Sequence, residues 1–219
     1  RTRRQRQMCI RDRSETARIV RGLLDGEKVD FAGELASSKG YRLRLDAPRT
    51  PLTIAAFGPA AVKVAARQGD RMLLNMVTPD SLALLRQQLK SAAAEAGRPT
   101  PKLAVWLCCA IDPGPETIEQ LLRAVVGYLA APGYSEMISA AGFAQLVEFA
   151  RTRPHPRELL AAMPPELVSA IGLVGSRSQI SERIDEYRCA GADEICLVPA
   201  TADDPGGIKS LTAMRLESA

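Results

Sequence analysis

The chain repeats one arrangement of apolar and polar positions: a short apolar run, a turn, then an apolar stripe at helical spacing. Leu52 to Ala56 is the first such run and predicts a strand, followed after Gly58 by a helix over Pro59 to Gln68. Arg71 to Met76 is the next strand. Thr78 is placed to cap the helix behind it, with Pro79 at the first helical position and Gly97 just past the end. Leu82, Leu85, Leu89 and Ala93 form that helix's stripe. Lys102 to Ile111 is a third strand, nearly continuous in apolar residues, as a strand covered on both faces should be. A helix from about Glu116 carries Ile118, Leu121, Leu122, Val125 and Leu129. Ser176 and Gln179 then form a capping box for a helix that turns Ile180, Ile184 and Tyr187 inward, and Glu194 to Val198 is the fourth strand.

Two stretches stand outside this alternation. Ser14 is placed to cap a helix running to about Asp25, with Ile19, Val20, Leu23 and Leu24 on one face and Gly26 as its stop. Residues 28 to 47 then alternate at Val29 and Phe31 and again at Tyr41, Leu43 and Leu45, with Ser37, Ser38 and Gly40 between. That pattern predicts a small hairpin, closed off by the Pro48 to Pro51 punctuation. Residues 133 to 171 predict a helical insertion rich in Ala and Pro. Its aromatic residues Tyr134, Phe143 and Phe149 would either cover a substrate mouth or pack internally. Four strand–helix units imply a parallel sheet with helices outside it. Periodicity leaves half a (β/α)8 barrel and a doubly wound sheet both open. No strand is followed by G-x-G-x-x-G or a Walker lysine motif, which disfavours a dinucleotide fold.

Composition narrows the chemistry. The chain has 219 residues, 46% of them hydrophobic, with five Cys and one His. No apolar run approaches a membrane span of about 18 to 20 residues. The Cys lack C-x-x-C spacing, so a zinc site is not expected. His155 lies between two prolines, which disfavours a His-dependent triad. Cys108 and Cys109 are adjacent in a strand and so point to opposite faces. Cys189, Cys196 and Trp106 are expected in the core, and unpaired thiols fit a cytoplasmic setting.

The charge is uneven. Residues 1–13 hold six Arg and one Asp, a charge of +5, whereas the remaining 206 residues hold 23 basic and 24 acidic groups. Such an arm could be solvated or could bind phosphates. The string QRQMCIRDR, however, resembles translated sequencing-adaptor read-through. Residues 1–13 are therefore expected to be non-native, and residues 14–219 to be a C-terminal piece of a longer protein. Nucleic acid and membrane partners are not expected.

The sharpest site signal is Thr53 to Ala61. A strand ends in small residues, Gly58 makes the turn, and Pro59 starts a helix whose free N–H groups point past the strand's C-terminal end. Ala56, Phe57, Gly58, Pro59 and Ala60 thus form a candidate seat for a phosphate without any basic side chain. A plain βα turn is the competing reading. Asn75, ending the next strand, is the second candidate ligand group; Thr78 has the simpler role of helix cap. Asp112, Asp193, Asp203 and Asp204 sit at strand or loop ends but form no paired-carboxylate pattern. No catalytic residue and no metal ligand is assigned.

The string PLTIAAFGPAAVKVAARQGDRMLLN resembles the fifth and sixth barrel strands of luciferase-like monooxygenases, above all the deazaflavin-dependent oxidoreductases related to methylenetetrahydromethanopterin reductase. VRGLLDGEKVDFAGE, VVGYLAAPGY and LVGSRSQISERIDEYRCAGADEICLVPA resemble further segments of the same family, in the same order, from about Ser14 to Asp204. The resemblance implies an α/β fold, the C-terminal half of a TIM (β/α)8 barrel: four parallel strands with outer helices and a helical insertion. It implies hydride transfer between a deazaflavin coenzyme of the F-420 type and a small organic substrate, with FMN and a monooxygenase activity as the alternative. The segment matching Phe57 to Ala60 would approach the cofactor's phosphate-bearing tail. Cofactor chemistry needs few acid–base side chains, so one His is no obstacle. The intact protein is expected to be a homodimer and the half-barrel alone inactive. A non-catalytic module that binds a phosphate ligand at Gly58 is the reading from another class.

Overall fold

The computed structural model of the protein describes residues 3–44 and 50–214, with side chains from residue 10 onward. Leu45 and the Pro48 part of the expected punctuation lie outside the described residues. The chain divides into two compact units. One holds residues up to Leu73 together with Leu85–Leu103, and the other holds Leu74–Leu84 together with the chain from Ala104.

The first unit opens with α1, Arg3–Leu24. Its start corrects the expectation that Ser14 is a cap: Ser14 lies inside the helix, and its hydroxyl accepts a hydrogen bond from Gln68 Nε2 at 2.7 Å. Arg and Gln are strong helix formers, so the segment before Ser14 continues the helix instead of ending it. Gly26 stops α1 as expected. It takes a left-handed φ of 77°, and the Gly26 and Glu27 amides return to the Leu23 and Gly22 carbonyls. The hairpin follows as β1, Lys28–Ala32, antiparallel to β2, Ser37–Arg42. Ser37 and Ser38 belong to β2 and not to the connection. The connection instead is held by Glu15 of α1, whose carboxylate accepts from the amides of Glu34, Leu35 and Ala36 at 2.8–3.0 Å.

β3, Thr53–Ala55, runs parallel to the start of β4, Arg71–Asn75, in the register Thr53 to Arg71 and Ala55 to Leu73. Between them α2, Pro59–Gln68, buries Val62, Val64, Ala65 and Ala66. Asp70 ties the strand starts together. Its Oδ2 accepts from the Leu52 amide and from Arg21 Nη1 of α1, both at 2.8 Å. Most of α3, Pro79–Glu95, belongs to this unit and ends at Gly97, left-handed with φ 64°.

The second unit is built on β5, Lys102–Ile111. Its residues 109–111 pair in parallel with β6, Leu173–Gly175, and residues 104–109 pair in parallel with β7, Glu194–Pro199. Leu103, Val105, Leu107 and Cys109 alternate along β5 and are all fully buried, as the helix-covered face of a strand requires. Trp106 stands on the other face and is 48% exposed, which corrects its expected core placement. Cys189 is exposed and Cys196 half-buried, so they too are not core thiols. α4, Pro115–Val125, precedes the insertion, which consists of α5, Tyr134–Ile138, α6, Ala144–Arg151, α7, Pro156–Ala161, and α8, Glu166–Ile171. α9, Arg177–Cys189, starts at the expected capping box and buries Ile180, Ile184 and Tyr187. A short α10, Ile208–Ala213, ends the described chain. Among the described residues no helix is long and apolar enough to cross a membrane.

Candidate active site

Ala56 to Ala60 form one continuous turn in the first unit. Ala56 prolongs β3, donating from its amide to the Leu73 carbonyl at 3.2 Å, and its side chain is buried. Phe57 is half-buried, while Gly58, Pro59 and Ala60 are exposed. Gly58 is the residue before α2, in an extended conformation with φ −94° and ψ 161°. No side chain caps the helix, and no acidic residue stands in its first turn. A Cβ added at Gly58 would meet nothing within 4 Å. Neither backbone strain nor crowding within the chain therefore demands a glycine there. The space and the uncapped amides suit an anionic group that approaches the backbone closely.

Asn75 lies in the second unit as the last residue of β4 and is half-buried. Its carbonyl accepts from Tyr134 Oη at 3.0 Å, and its side-chain carboxamide lies within reach of the same hydroxyl. Thr78 does cap α3: its Oγ1 accepts from the Ser81 amide at 3.3 Å.

Two residues at strand ends carry a signal that sequence reasoning missed. Met76, just past β4, has φ 47°, and Asp112, just past β5, has φ 42°. Left-handed backbone is uncommon for residues other than Gly, and it concentrates at functional sites when surrounding contacts enforce it. Asp112 is held by its amide, which donates to the Gly175 carbonyl at 2.9 Å.

Cys108 and Cys109 offer no nucleophile. Burial pushes the Cys108 thiol up to about 11. Burial, with Cys108 and Asp204 nearby, pushes Cys109 up to about 12. Both stay protonated at neutral pH and lack thiolate reactivity. Asp203 is structural: its Oδ2 accepts from the Thr117 amide in the first turn of α4, and its own amide donates to Thr117 Oγ1. Asp204 holds the start of α10, accepting from the Lys209 and Ser210 amides, contacts that keep its carboxyl below the usual range. Among the described residues no cluster of three or more His, Cys, Asp or Glu could hold a metal ion. The Gly58 turn of the first unit thus offers amides and small residues, and Asn75 of the second offers a carboxamide.

Residues 10–194 match the luciferase-like monooxygenase family. The chain belongs to that family. A relative named 5,10-methylenetetrahydromethanopterin reductase, from Archaeoglobus fulgidus, is 22% identical to this luciferase-like chain over 191 residues, which are 83% of this chain and 58% of the reductase. The solved coenzyme F420-dependent tetrahydromethanopterin reductase of Methanopyrus kandleri matches with a TM-score of 0.69 at 18% identity, covering 93% of this chain and 62% of that one. An F420-dependent secondary alcohol dehydrogenase, solved in complex with an F420-acetone adduct, matches with a TM-score of 0.68 at 20% identity, covering 93% and 61%. The parallel strands β3, β4, β5 and β7 with their helices are accordingly a partial (β/α)8 barrel. This luciferase-like chain spans 58% of the length of the reductase it matches.

Proposed function

We propose that the chain is part of an oxidoreductase that transfers a hydride between a deazaflavin coenzyme and a small organic substrate. The observation that carries the reading is the open, uncapped start of α2 behind Gly58, in a chain similar to a methylenetetrahydromethanopterin reductase and to two solved enzymes named as F420-dependent. Backbone groups of Ala56 to Ala60 would hold the cofactor's phosphate-bearing tail, and Asn75, in the second unit, is proposed separately as a cofactor-binding residue. Phe57 and Pro59 would line the approach. When bound, the deazaflavin supplies the hydride chemistry, and the chain's own residues bind and orient it. F420 is preferred over FMN because both fold matches are named as F420-dependent. We further propose a cytoplasmic homodimer as the intact protein, and residues 1–13 as non-native; sequencing the source DNA upstream of the Ser14 codon tests the latter.

Gly58→Ser tests the seat. Ser is among the best residues before a helix, so a plain turn would be stabilised by a few tenths of a kcal/mol. A seat for a phosphate would instead be spoiled, because the new hydroxyl competes for the same amides. The expected outcome is an unchanged or slightly raised melting temperature together with at least a tenfold loss of F420 affinity, read by fluorescence titration. Titration with FMN in parallel separates the two cofactors. Unchanged affinity of Gly58→Ser for whichever cofactor binds would remove the seat, and binding of neither would remove the reading.

A further inference from the structure

Two tyrosines from distant segments converge on the turn that leaves β4. Tyr134, the last residue of VVGYLAAPGY, donates from its hydroxyl to the Asn75 carbonyl at 3.0 Å. Tyr187, in α9, donates to the Val77 carbonyl at 2.5 Å. Between these two bonds the Met76 amide donates to the Trp106 carbonyl at 3.1 Å. The peptide group joining Asn75 and Met76 is therefore gripped at both ends, by Tyr134 on its oxygen and by Trp106 on its N–H. The next bond grips the peptide after Val77. Met76, between the two gripped peptides, is the residue forced to φ 47°.

The tyrosines are themselves held. The Tyr134 ring packs edge-on against Tyr128, with centroids 4.8 Å apart. It starts α5 directly after Gly133, whose amide donates to Glu136 Oε2 at 2.6 Å. Tyr187 is fully buried, and the Arg183 guanidinium lies 5.6 Å from its ring centre. Core packing accounts for the buried Met76 side chain, but it does not account for two hydroxyls aimed at the carbonyls on either side of it. Enforced left-handed backbone at a strand end is a mark of a site whose shape matters. The orientation of the gripped peptide also sets the direction in which the Asn75 side chain leaves the strand.

We propose that Tyr134 and Tyr187 are positioning residues: their hydroxyls fix the Asn75–Val77 turn so that the Asn75 carboxamide is presented to the bound cofactor. This rests on the reading of Asn75 as a cofactor-binding residue.

The test uses Tyr134→Phe, Tyr187→Phe, Asn75→Ala and the Tyr134→Phe/Asn75→Ala double variant in the full 219-residue chain. Amide exchange of the 75–78 segment is read by mass spectrometry, and affinities for coenzyme F420 and for FMN are read by quenching of the single tryptophan, Trp106. Each Phe variant is expected to speed exchange at the turn by at least tenfold, leaving α4 unchanged, and to weaken cofactor binding about fivefold or more. Tyr134→Phe added to Asn75→Ala should weaken binding less than twofold further, because the two act through one contact. A merely structural tyrosine would speed exchange while leaving affinity within twofold, or would multiply with Asn75→Ala as an independent change. Either result overturns the positioning role, as does unaltered exchange in both Phe variants. Parent chain that binds neither probe overturns the functional reading and the positioning role with it, a failure visible before any variant is compared.

Discussion

Cys108 and Cys109 share one strand, yet their neighbours differ: Cys109 is fully buried on the helix-covered face of β5, and Cys108 is half-buried on the opposite one. Burial raises both thiols, to about 11 and about 12, from an ordinary value of 9.0. A group whose pKa rises on folding lends stability that is complete below its unfolded value. That stability is lost as pH climbs toward the folded one. Stability is therefore expected to fall from about pH 9 upward, and Cys109→Ala should flatten that fall in urea melts taken at a series of alkaline pH values. Iodoacetamide at mildly alkaline pH should label exposed Cys189 first and leave Cys109 intact, as peptide mapping would show. At this scale the local geometry of the candidate site was partly legible. Gly58 and Pro59 declare a turn and a helix start by their backbone chemistry, and Asn75 declares itself as a lone polar residue ending an apolar strand. Met76 and Asp112 gave no sign, because a left-handed residue announces itself only when it is Gly or Asn.

Elements are where periodicity is strongest, and β3, β4, β5 and β7 lie where the apolar runs place them, with α2, α3, α4 and α9 between. β4 ends one residue early because Met76 leaves the strand conformation. β6 escaped notice since three residues carry no measurable alternation. The start of α1 was hidden by a charge cluster that shows no apolar stripe. The tie between α1 and the hairpin was equally hidden, because Glu15 reaches amides about twenty residues away. That tie is open to measurement. A carboxylate accepting three amides holds the connection between β1 and β2, and a hydrogen bond to a charged group contributes about 1.5–3 kcal/mol. Solvent replaces part of that at a half-buried site, so Glu15→Ala is expected to cost about 1–2 kcal/mol in urea unfolding. Exchange at the Glu34, Leu35 and Ala36 amides should accelerate while β5 stays protected. Equal acceleration in both places would mean that the hairpin and the sheet open together, contrary to a local tie.

The second unit, taken whole, has an unfinished surface. β7 pairs with β5 along one edge, and no other strand pairs with it among the described residues. The register sets Trp106 opposite Cys196 and Cys108 opposite Val198, so all four side chains share the sheet face that the helices leave uncovered. Trp106 and Val198 are each 48% exposed there. Unpaired strand edges beside exposed apolar side chains invite another chain to add on. The 219-residue chain is therefore expected to self-associate, its sedimentation coefficient rising with concentration. Lys on an exposed strand position opposes such pairing by bringing a charge that must stay in water. Val198→Lys should accordingly lower the association without lowering the melting temperature by more than a few degrees, since Val198 is half in solvent already. A monodisperse monomer that melts in one cooperative step would show that the open edge and face of β7 are no liability. Association unaffected by Val198→Lys would move the contact elsewhere, to the β3 edge of the first unit, where Arg13 Nη1 already occupies the Ala55 carbonyl at 2.8 Å and Arg13→Ala would free it.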